Sequence, residues 1–88
     1  MMNTSDDLAQ TLHHLHKLLL ETKSVDEETK SKLVRLADEI EQLNQGNVVD
    51  ALSINQRLQK ALIVSEEEHP TLTKVLTRMA LLLGDMGI

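Results

Sequence analysis

The chain has 88 residues, a net charge of −5, no cysteine and no aromatic residue. That length means one domain over residues 1–88, and without cysteine there is no disulfide and no thiolate metal site. The acidic balance argues against nucleic acid and anionic membrane surfaces, which call for clustered Lys and Arg, and no ring is present to stack on a base.

A domain of this size buries only about 60% of its unfolded surface. Its core must be aliphatic, and seventeen leucines supply most of it. Leucine-rich cores specify packing weakly, which gives the chain a reason to self-associate. The first residues, Met-Met-Asn-Thr-Ser-Asp-Asp, are acidic and polar, unlike a signal peptide. No apolar run approaches the roughly 20 residues of a membrane span. A soluble, cytoplasmic protein is expected.

The apolar period is helical throughout, with no strand-like alternation. A first helix is expected over about residues 6–22, capped by Ser5 or Asp6. Leu8, Leu12, Leu15 and Leu19 form its stripe, with Leu18 and Leu20 to either side. The second helix opens at Ser24-Val25-Asp26-Glu27, which matches the S-x-x-E capping box. Asp26 with Lys30, and Glu28 with Lys32, are acid-before-base pairs four apart. Leu33, Leu36, Ala37, Ile40 and Leu43 make the second stripe. Gly46 suits a left-handed cap.

The third helix is expected over about residues 48–65, with Val48, Ala51, Ile54, Asn55, Leu58, Ala61 and Leu62 along its stripe. The second and third stripes are in phase across Gly46, so one long helix is the alternative to a break. A break is preferred, because a continuous helix would carry glycine in its middle at a cost of about 1 kcal/mol. Asn55 within the stripe either selects register, as a polar residue at a seam can, or lies at the edge in water. The fourth helix begins at Pro70, which fits the first helical position and holds His69 out of helical geometry. Glu66, Glu67 and Glu68 suit the space just before that helix better than the end of the third. Leu72, Val75, Leu76, Met79, Leu82, Leu83 and Met86 form a wide stripe, Leu81 points away, and Gly84 can stop the helix. The fold class is therefore all-α, an antiparallel bundle of three to four helices with coiled-coil-like stripes.

Glu68-His69-Pro70-Thr71-Leu72, with the terminal Met86-Gly87-Ile88, resembles a family of small bacterial proteins catalogued as domain-of-unknown-function family 4404. The likeness is loose over most of the chain and closer in the last twenty residues. It implies a helical fold and a bacterial setting, and no activity. Members commonly carry a phenylalanine before the His-Pro pair. This chain has none, so packing at that corner is expected to differ.

Candidate chemistry is sparse. His13 and His16 are three apart on a helix, but two imidazoles are too few for a zinc site, which takes three or four ligands. Glu66-x-x-His69 has the spacing of a di-iron motif, which needs a second copy and two further glutamates. His69, beside carboxylates and before a helix start, is either a pH-sensitive contact or part of a stop-and-restart signal. No nucleophile constellation or phosphate loop is present, so no enzyme, cofactor or metal is expected.

Surplus apolar side chains, Leu18, Leu20, Leu52, Ile63 and Leu81, suggest a partner surface. The leading expectation is a structural or interaction module that forms a homo-oligomer. The alternative is a regulatory adaptor that docks its last helix on a partner protein through Leu72, Leu76, Met79 and Leu83. A metal or small-ligand binder is the weaker third. His69, Pro70, Leu81, Met86 and Ile88 are the candidate interaction residues.

Overall fold

Aliphatic stripes at helical spacing leave water by facing one another, and three of the four stripes of this chain do so almost completely. The computed structural model describes residues 3–87. Among them are four helices, α1 (Thr4–Glu21), α2 (Glu27–Asn44), α3 (Ala51–Glu68) and α4 (Pro70–Asp85), and no strand. Each helix packs on its two neighbours in a closed ring, α1 on α2, α2 on α3, α3 on α4 and α4 on α1. Short connections make successive helices antiparallel. Ser5 at the start of α1 exchanges hydrogen bonds with Asn44 at the end of α2: Ser5 Oγ donates to Asn44 Oδ1 at 2.8 Å, and Asn44 Nδ2 donates to the Ser5 carbonyl at 3.1 Å. Asp7 near the start of α1 pairs with Arg78 in the second half of α4 at 3.3 Å.

The core is the set of stripes. Leu8, Leu12, Leu15 and Leu19 of α1, Leu33, Leu36, Ala37 and Ile40 of α2, and Leu72, Val75, Leu76, Met79, Leu82 and Leu83 of α4 are buried. From α3 only Ile54, Leu58 and Ser65 are buried, so it is the least committed of the four. Asn55 is half-buried at the stripe's edge. Val25, in the connection before α2, is buried too.

The helix ends depart from expectation in an instructive way. Asn3, not Ser5 or Asp6, caps α1, its side chain accepting from the Asp6 N–H at 2.9 Å. Asp26, not Ser24, caps α2, accepting from the Thr29 N–H at 2.7 Å. Asp50 caps α3 through the Ser53 N–H at 3.1 Å. Because α3 starts only at Ala51, Val48 lies in the connection and is fully exposed rather than part of a stripe.

The break between α2 and α3 falls where Gly46 permits it. Gly46 has φ of +88°, the Asn47 N–H reaches back to the Gln42 carbonyl, and the Gly46 N–H reaches the Leu43 carbonyl. That paired arrangement is a Schellman stop. At the other end, Gly84 does not stop α4. The helix runs on to Asp85, which brings Met86 against the core, and the left-handed residue is Gly87 at φ +85°.

α3 also runs through Glu68 rather than ending at Ser65. Pro70 restricts only His69, so nothing prevents α3 from continuing to the residue before it. Glu66, Glu67 and Glu68 therefore occupy a negative dipole end. All three are exposed, where water screens the cost, and the positive end of α4 begins two residues on.

Two expectations follow. Leu58 is fully buried at the centre of a small core, so Leu58→Ala should cost about 2–5 kcal/mol in denaturant unfolding. The bond from the Thr29 backbone N–H, helped by the Thr29 side chain, holds the Asp26 carboxyl below its ordinary value of 3.8. The ionised cap therefore contributes its full stability above that ordinary value and loses it as pH falls through the lowered one. In thermal melts from pH 6 down to pH 2, Asp26→Asn should lose less stability with acid than the parent chain. Equal losses would show that the cap does not contribute.

Candidate functional site

His69 is the only residue between α3 and α4, and its backbone is non-helical, at φ −136° and ψ 74°. Its N–H closes α3 on the Ser65 carbonyl at 2.8 Å, and its carbonyl accepts from the Thr73 N–H at 2.9 Å and the Thr73 hydroxyl at 3.0 Å. The Ser65 hydroxyl, buried at 3% exposure, is 3.0 Å from that of Thr73 and 3.3 Å from the Leu62 carbonyl. This satisfied polar pair locks the corner, as buried hydroxyls require.

The imidazole turns toward the connection between α1 and α2. Its Nδ1 is 3.4 Å from Ser24 Oγ, and its Nε2 is 4.0 Å from Glu68 Oε2. The Ser–His–Glu order resembles a nucleophilic triad, but the separations exceed the roughly 2.6–3.2 Å of an activated pair. The Glu68 side chain is also 79% exposed, so it neither fixes the imidazole nor shields it from water. The contact reads as a tie between the two connections. It also explains why Ser24 does not cap α2.

Beside this corner, α2 and α3 leave a groove of about 560 Å³. This is the loosest of the four helix seams. Leu33, Leu36, Ala61 and Leu72 line its floor, and Val64, 63% exposed, forms a lip. Lys32 and Arg35 stand on the α2 bank and Arg57 and Lys60 on the α3 bank. Asp26, Glu68 and His69 close the far end. Arg57 is ion-paired with Glu39, and Lys32 with Glu28 at 3.3 Å. None of these four bases was singled out from the sequence as a site. A usable signal existed, since each helix carries two bases three residues apart, which places both on one face.

On its other flank, α3 presents an uncovered stripe. Leu52 is 68% and Ile63 72% exposed, and Gln56 and Gln59 between them are exposed too. At 3.6 residues per turn the four fall within about 60° of arc.

The candidate residues from the sequence do not gather into one surface. His69 and Pro70 lie at one end of α4, Pro70 exposed. Leu81 is exposed on the outside of α4, at 64%, and Met86 is half-buried at its other end. Ile88 lies outside the described residues. Leu20 is exposed as expected, whereas Leu18 packs on the core. Of the histidines of α1, His16 is 3.7 Å from Asp38, and His13 and His14 are exposed. Among the described residues no three His, Asp or Glu side chains come together as a metal group, and no helix is long and apolar enough to cross a membrane.

No curated protein and no solved structure matches this chain. A family model described as "Domain of unknown function (DUF4404)" matches residues 8–88. That span takes in all four apolar stripes, the His-Pro corner and the Met-Gly-Ile end, and the chain belongs to this family.

Proposed function

We propose that the protein is a small, non-enzymatic structural or interaction module that self-associates through the outer stripe of α3, in a bacterial cytoplasm. The observation that carries this reading is the palindromic order Leu52, Gln56, Gln59, Ile63, all exposed and spaced four, three and four apart. Closed two-fold dimers use one patch on both copies, so the patch must be complementary to itself. Antiparallel pairing about an axis midway between Arg57 and Leu58 sets Leu52 against Ile63 of the partner subunit, and Gln56 against the partner's Gln59. Apolar meets apolar, and amide meets amide.

The rest of the molecule supports the reading. A core without aromatic residues is small, and α3 contributes least to it, so covering its outer face adds apolar burial where the monomer is poorest. The adaptor alternative fares worse. Its anchors Leu72, Leu76, Met79 and Leu83 are all buried in the chain's own core, and presenting them to a partner would require opening the bundle.

Sedimentation equilibrium at high micromolar concentration should give twice the 9.9 kDa chain mass. Ile63→Lys and Leu52→Lys should each return the mass to 9.9 kDa while helical circular dichroism is retained, since both positions are exposed. A parent chain that sediments as a monomer would sink the proposal.

A further inference from the structure

We infer that the groove between α2 and α3 binds a single-chain amphiphile with an anionic head, of which a long-chain carboxylate is the simplest. The first ground is charge. The chain as a whole carries −5, yet the side chains lining the groove include four bases, Lys32, Arg35, Arg57 and Lys60, against two acids, Asp26 and Glu68. Glu39 and Glu28 offset Arg57 and Lys32, so the free positive charge is Arg35 and Lys60 at one end, with Asp26 and Glu68 at the other.

The second ground is register. Glu39 pairs with Arg57, and Ser24 meets His69, so antiparallel α2 and α3 set Arg35 level with Lys60. Neither of these two is in an ion pair among the described residues. Both line the groove, one on each bank, so an anion held between them would meet two positive charges. Arg suits this role, because its planar fork matches a carboxylate.

The third ground is the floor. Between the charged banks the lining is aliphatic, and the Val64 lip stays open to water. An occupant needs an apolar body as well as a charge. About 560 Å³ lies within the ordinary range of small-ligand sites, about 300–1,000 Å³. A helix about 10–12 Å across would stand largely outside the groove. Asp26 and Glu68 sit at the His69 end, so an anion is drawn toward Arg35 and Lys60 and repelled from the other end. That asymmetry gives the bound chain one direction. Arg35 lies on α2, away from the Leu52–Ile63 stripe, whereas Lys60 borders it, one turn from Gln56 and Ile63, so Arg35→Glu is the variant that separates amphiphile binding from self-association.

Calorimetric titration of the full chain with dodecanoate, below its micelle concentration, tests the inference. One saturable site per chain is expected. Butyrate, with the head but not the tail, and dodecyltrimethylammonium, with the tail but the opposite charge, should bind at least about tenfold more weakly. Arg35→Glu and Lys60→Glu should each weaken dodecanoate at least about tenfold, on the scale of a lost charged hydrogen bond. Lys74→Glu, away from the groove, should not. These positions are exposed, and unchanged thermal melts would confirm that the variants fold. The inference is overturned if dodecanoate shows no saturable binding, if the cationic amphiphile binds equally well, or if the charge reversals have no effect. It is equally overturned if only an acidic amphipathic peptide binds through Arg35 and Lys60, which would make the groove a protein-docking site.

Discussion

Everything in this fold depends on burying four aliphatic stripes without help from an aromatic ring, a disulfide or a metal thiolate. Each fully buried leucine supplies about 1.5–3 kcal/mol, and the entropy of ordering the chain consumes most of the total. The stripes are efficient because nearly every apolar residue at core spacing is used, Leu8 through Leu19 on α1 and Leu72 through Leu83 on α4 above all. The weaker contribution of α3 reflects the spread of its apolar residues around the helix, with Ala61 and Leu62 half-buried and Leu52, Ile63 and Val64 exposed. Its outer flank and its α2 flank are therefore the two places where apolar surface is left over.

The corner at His69 sets how those stripes meet. With one residue between α3 and α4, the two helices cannot adjust their relative position by lengthening a loop. Pro70 removes the option of a continuous helix, and the Ser65–Thr73 pair fixes the angle from inside. The His69 ring then reaches Ser24 and draws the α1–α2 connection to the same end of the bundle. A small polar cluster thus fixes the α3–α4 corner and touches the α1–α2 connection, although it adds little apolar burial.

The stripes could be read in the sequence because burial imposes a period, and a period survives uncertainty about where a helix begins. Helix starts could not be read as well. Asn3, Ser5 and Asp6 all make good caps, as do Ser24 and Asp26, and local preference does not separate them. Tertiary contacts do: Ser5 is taken by Asn44 and Ser24 by His69, which leaves the cap to Asn3 and Asp26. The apolar period sets Val48 on α3 for a related reason, although it lies in the connection. Asp50 starts α3 three residues later than the apolar period suggests, and period means nothing in a connection. The groove was least legible, because its bases lie on separate helices and meet only through packing.

Two opposing magnitudes meet at the open α2–α3 seam. Closing it over Val64 would return about 1–2 kcal/mol of apolar burial. It would also press Lys32 and Arg35 toward Arg57 and Lys60. A like-charge pair at about 4 Å costs about 1 kcal/mol in bulk water and about 4 kcal/mol at the effective dielectric of a protein surface. Glu39 and Glu28 neutralise one base on each bank, which leaves Arg35 against Lys60. Both are exposed, so water holds their repulsion to about 1 kcal/mol or less, and it offsets only part of that apolar gain. An anion between these two charges is the occupant most able to close the seam.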